Sequence, residues 1–103
     1  MNNALNYDKI FEEAKNGGRH AGTYNDAIRK TKAQLKKSIR SNKNNMAKHK
    51  NKINNPQKYD SDWKNKDDRQ KQGLIKKWEK EIKIFREQTE IEKRILKERE
   101  NNG

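Results

Sequence analysis

The chain has 103 residues, room for one domain, and its 27% hydrophobic and 41% charged content allows only a thin core. Its net charge of +12 points to a polyanionic partner and excludes a cationic one. Cysteine is absent, which rules out disulfides, thiolate metal sites and a thiol nucleophile. No run approaches 18 apolar residues and no apolar signal region opens the chain, so a soluble protein without stable membrane insertion is expected, whole or as a piece of something longer.

The apolar residues are few but spaced for helices, and no strand alternation appears, so the expected class is all-α. A first short helix spans about residues 7–16, with Tyr7, Ile10, Phe11 and Ala14 as its stripe and Gly17 at its end. A glycine-rich loop over 17–23 follows. A second helix is then expected over about 26–54, capped by a residue between Thr23 and Asp26 and halted by Pro56. Its stripe is Ile28, Leu35, Ile39, Met46 and Ile53. Residues 56–68 read as loop, and Asp67 or Asp68 can cap a third helix over about 69–99. That helix carries Leu74, Ile75, Trp78, Ile82, Phe85 and Leu96 on one face. The two long helices would each measure about 40 Å at the helical rise. Matched lengths predict a short N-terminal helix beside a long antiparallel helical hairpin, in one domain over residues 1–103.

The charge is uneven. Residues 14–58 hold thirteen bases and a single acid, Asp26, whereas residues 59–103 hold thirteen bases and eleven acids. No carboxylate occurs between Ala27 and Tyr59. Such a stretch repels itself unless an external anion offsets it, so the second helix is expected to bind an anion through Lys32, Lys36, Arg40 and Lys43. The charge alone does not separate RNA from DNA, or either from an acidic protein. The last helix, with balanced signs, reads as an ordinary solvated scaffold.

At the head of the basic helix stands Gly17-Gly18-Arg19-His20-Ala21-Gly22-Thr23-Tyr24. Gly17 and Gly18 permit close backbone approach to a phosphate, Arg19 can brace it, and His20 titrates near neutrality. Tyr24 adds a hydroxyl and a stacking ring. These are the parts for metal-independent RNA cleavage, in which a base takes the ribose 2′-OH proton and cations stabilise the developing charge. The same loop also reads as a flexible linker that happens to hold Arg and His. His49 lies on the apolar stripe, where a structural role competes with contact to nucleic acid. A continuous second helix would place His49 about 30 Å from the His20 loop, so His20 is expected to act without it. Trp63 is a candidate stacking platform in the loop, while Trp78 belongs to the core stripe. Asp60, Asp62, Asp67 and Asp68 serve as loop and cap residues first, and no metal or other cofactor is expected.

Gly17-Gly18-Arg19-His20 with Gly22, Ser38-Ile39-Arg40-Ser41, His49, Lys52-Ile53-Asn54-Asn55-Pro56 with Lys58-Tyr59, Trp63 and Asp68-Arg69-Gln70 together resemble the C-terminal toxin domains of bacterial polymorphic toxins, of the contact-dependent-inhibition and rearrangement-hotspot type. The resemblance spans about Gly17 to Leu96. It implies a domain secreted or delivered from the producing bacterium, acting in the cytoplasm of a target cell and neutralised by a cognate acidic immunity protein. Many such domains are nucleases, often cutting tRNA. The resulting expectation is a monomeric ribonuclease with Arg19, His20 and Tyr24 at the reaction centre. A basic nucleic-acid-binding helical module without catalysis is the alternative. A protein-interaction or pore-forming toxin domain is a third, and low hydrophobicity counts against its pore-forming form.

Overall fold

The computed structural model describes residues 3–102, and side chains from residue 6 onward. These residues are all helical or connecting segments, with no strand among them. Helix α1 runs Asn3–Lys15 and stops for a local reason. Gly17 adopts φ +89°, which glycine tolerates without strain. The Gly18 and Gly17 amides then donate back to the carbonyls of Glu13 (2.8 Å) and Ala14 (3.3 Å), which satisfies the last turn and reverses the chain. A Cβ on Gly18 would meet the Glu13 carbonyl oxygen at 3.1 Å. Both glycines therefore terminate α1.

The expected long second helix is in fact two. Helix α2 is Ala21–Ile28, and α3 is Lys32–Asn54. The break lies at Arg29-Lys30-Thr31, where Thr31 Oγ1 accepts from the Gln34 amide (3.1 Å) and Gln34 Oε1 accepts from the Thr31 amide (2.9 Å). This reciprocal cap starts a new helix more favourably than the old one could continue. Arg99 closes the other side of the break by donating to the carbonyls of Ile28 and Ala27. One consequence is that Ile28, the expected first residue of the stripe, is 45% exposed. Helix α2 also begins earlier than expected, with His20 at its N-cap and without a side-chain cap bond.

Pro56 does end α3, and it opens a single turn, α4 (Pro56–Tyr59). A 3-10 turn at Trp63–Asn65 follows, so the expected loop is half helical. Helix α5 spans Asp68–Asn102. Its start is fixed by Asp67, whose Oδ1 accepts from the Gln70 amide (2.8 Å) while Gln70 Oε1 accepts from the Asp67 amide (3.1 Å).

Helices α3 and α5 run in opposite directions: Ser38 meets Glu92, and eleven residues further along α3, His49 meets Glu81. Helices α1 and α2 pack on the C-terminal half of α5 only. There Phe11, Ala14, Ala27, Leu35, Ile91 and Ile95 form the core, with Ile10, Tyr24 and Leu96 against it. Each large apolar side chain so buried contributes about 1.5–3 kcal/mol. Farther along, Ile39, Trp78 and Ile82 are buried between the two long helices. The particle is elongated, 54 × 27 × 24 Å.

Candidate functional site

The short turn between α1 and α2 delivers Arg19 and His20 to one carboxylate on α5. Glu87 is 3% exposed and accepts a forked pair of bonds from Arg19, Nη2 to Oε1 at 2.7 Å and Nη1 to Oε2 at 3.2 Å. His20 Nε2 lies 3.0 Å from the same Oε1. An ionised carboxylate only accepts, so this geometry places a hydrogen on Nε2 and leaves Nδ1 as the nitrogen free to take or give a proton. Every buried polar side-chain atom among the described residues has a partner. No partner for Nδ1 is found among the described residues, and the His20 side chain is 8% exposed.

His20 holds this position at a backbone cost. Its φ of 67° and ψ of 18° are left-handed, and it is the one described residue other than glycine with positive φ. That conformation costs a side-chain-bearing residue about 1–2 kcal/mol, offset here by the bond to Glu87 and by the start of α2. Strain of this kind collects where a side chain must be aimed. Arg19 and Glu87 line a cavity of about 480 Å³ together with Lys9, Lys83 and Arg86, among others.

A second buried carboxylate lies five residues on. Glu92, 2% exposed, accepts from the Ser38 hydroxyl and from Asn42 Nδ2 (2.7 Å), with Lys30 Nζ at 3.9 Å. Burial pushes its carboxyl above the ordinary range, an effect that the Ser38 hydrogen bond and the Lys30 charge oppose only in part. It faces a small polar cleft of about 160 Å³ that also includes Thr23, Asp26 and Gln88.

Other residues singled out from sequence have different surroundings. Tyr24 packs edge-on against Phe11, with centroids 5.6 Å apart, and is partly buried against the core. Gly17 and Gly18 bond to the end of α1, as described, and present no phosphate cradle. His49 Nδ1 lies 2.7 Å from the Asn45 carbonyl, its Nε2 pairs with Glu81, and its ring tilts against Phe85 at 5.7 Å. Trp63 stacks on Trp78 (6.2 Å between centroids, 22° between planes), with the Lys71 ammonium 5.7 Å from the Trp63 ring centre, so its ring already has partners within the fold. Lys32, Lys36, Arg40 and Lys43 are all exposed and, by the helical period, share one flank of α3. Of the eleven bases between Ala27 and Tyr59, only Lys30 has a carboxylate partner among the described residues.

Glu87 and Glu92 are the functional candidates that the charge pattern hides, because α5 as a whole looks balanced. Yet Glu87 lies on one helical row with Ile91 and Ile95, and Glu92 sits four residues from Gln88 and Leu96. A carboxylate in register with an apolar row was the signal available. Among the described residues no group of three or more His, Asp or Glu could hold a metal ion. None of their helices is long and apolar enough to cross a membrane. Comparison with protein-family models, curated proteins and solved structures found no match.

Proposed function

We propose that this chain is a nucleic-acid-directed toxin domain, carried on a long helical hairpin, that cleaves structured RNA such as tRNA without a metal ion. The observation that carries this reading is the His20–Glu87 pair: an imidazole oriented by a buried carboxylate, in a strained backbone position, whose Glu87 and neighbouring Arg19 line a cation-rich cavity. In the step we envisage, His20 Nδ1 removes the proton of a ribose 2′-OH. The oxygen attacks the adjacent phosphorus and the 5′-oxygen leaves, taking a proton from solvent. Arg19 is half exposed, and the donors not spent on Glu87 are available to the phosphate oxygens. Tyr24 is withdrawn from the reaction centre, since its ring is spent on Phe11. The context proposed from sequence is unchanged: delivery into a neighbouring cell's cytoplasm and neutralisation by an acidic immunity protein.

Purified protein incubated with total RNA, with and without chelator, tests this directly. Cleavage is expected in both lanes, and its loss is expected in His20→Ala with the circular dichroism spectrum unchanged. Intact RNA in the wild-type lanes overturns the catalytic reading. One feature favours a non-enzymatic binding module instead, namely that Glu87 ties Arg19 and His20 together and so can serve as a plain structural lock. In that case His20→Ala lowers the melting temperature while RNA binding stays as tight as in the wild type.

A further inference from the structure

The cavity beside Arg19 and Glu87 is not isolated. A second, also of about 480 Å³, lies along the seam of α3 and α5, and the two share Tyr7 and Arg86 in their walls. The two adjoin at these residues, and end to end they make a candidate channel with α1 along the wall of the first. Lys9 and Lys83 line the first part, and Lys43 and Lys50 the second. Among the described residues none of these four lysines, nor Arg86, has an ion-pair or hydrogen-bond partner. The acids nearby are mostly spent: Glu87 on Arg19 and His20, Glu90 on Lys93 at 3.6 Å, leaving Glu13. Unpaired cations facing one another across a channel repel, and their arrangement is favourable only with an anion between them. Tyr7, half-buried at the joint, has no hydrogen-bond partner for its hydroxyl among the described residues.

We propose that a single-stranded stretch of nucleic acid runs in this channel, with Lys43, Lys50 and Arg86 on its phosphates and a base stacked on Tyr7. Bases in a duplex are already stacked on one another, whereas a track with cations on its walls and an aromatic ring in the middle matches the backbone and a splayed base of a single strand. The track ends at Arg19 and Glu87, the two residues that His20 adjoins through its bond to Glu87. The proposal rests on the nucleic-acid reading above and specifies which part of the substrate is held and where. It adds Tyr7, Arg86 and Lys50 to the binding residues and places Lys43 among them.

The test is fluorescence anisotropy of the full chain with labelled oligouridine, oligothymidine and a duplex, over a salt series. The groove variant Lys43→Gln/Lys50→Gln/Arg86→Gln is compared with Lys37→Gln/Lys48→Gln/Lys58→Gln, an equal charge change at exposed positions away from the channel. The groove variant is expected to bind single strands at least about tenfold more weakly, with a log–log salt slope smaller by about two, and the control variant to lose far less. Tyr7→Ala is expected to lose about tenfold and Tyr7→Phe to retain wild-type affinity. Equal losses in the two charge variants, or tighter binding of duplex than of single strand, overturn the channel while leaving the nucleic-acid reading in place. A wild-type chain that binds none of the three overturns both.

Discussion

The two ends of the molecule are built differently. At the C-terminal end of α5, three helices, α1, α2 and α3, pack around it, and two carboxylates lie almost fully buried among them. At the opposite end α5 packs on α3 and on Trp63 of the Trp63–Asn65 turn. The contacts there are Trp63 on Trp78, His49 on Phe85, and the surface pair Lys66–Asp60 at 3.1 Å, whose hydrogen bond holds the Asp60 carboxyl below its usual range. The distal end is fastened by rings and exposed ion pairs, each modest in energy. The enclosed end is fastened by apolar packing, and on top of it by charge networks whose burial has a cost. A carboxylate is expensive to bury, so its presence twice in one short stretch marks where geometry matters more than stability.

Truncation at the two ends should separate them. Leu35 is fully buried in the enclosed core, and Leu35→Ala is expected to cost about 3 kcal/mol, near the limit for so thin a core, whereas Ile53→Ala at the half-buried distal seam should cost about 1 kcal/mol. Urea denaturation followed by circular dichroism measures both, and equal costs would erase the distinction between the ends. Next in size is Glu87→Ala, which strands His20 and releases Arg19. With Arg19 half exposed the loss should be about 2 kcal/mol, and hydrogen exchange should quicken in the 16–24 turn before anywhere else. Thr31→Ala removes the cap that divides α2 from α3 and should cost about 1 kcal/mol. If that variant is as stable as the wild type, the break is held by Arg99 alone.

The same division governs what could be read from residues alone. Local chemistry was legible: helix class, the stop at Gly17, the stop before Pro56 and the cap at Asp67 all depend on neighbours in sequence. The break at Thr31 was also local, written as Thr31-Lys32-Ala33-Gln34, but a long basic run with one stripe of period seven masked it. Arg19 and His20 stood out by residue type, yet their partner lies 67 or 68 positions away, and no spacing rule reaches that far. Tyr24 and Trp63 were misleading for a related reason. An aromatic side chain in a polar stretch looks available until the fold supplies Phe11 or Trp78 to cover it.

The smallest expected effect bears most directly on why Glu92 is an acid. Burial raises its carboxyl above the ordinary value of 4.5, so the folded chain keeps a proton that the unfolded chain has released. The folded state is therefore favoured fully while pH lies below the ordinary value, and it loses stability as pH rises from there through the raised folded value. Glu92→Gln removes the titration while keeping the shape and an oxygen for Asn42 to donate to. Its stability should match the wild type near about pH 4 and exceed it near about pH 8, with a flatter curve between, as read by urea midpoints. Parallel curves would mean that Ser38 and Lys30 fully offset the burial. A mutant that is more stable and still fully active would make Glu92 a tolerated cost of packing. One that is more stable but slower would place the Glu92 cleft in the chemistry, where a carboxyl poised above its usual range can hold or pass a proton.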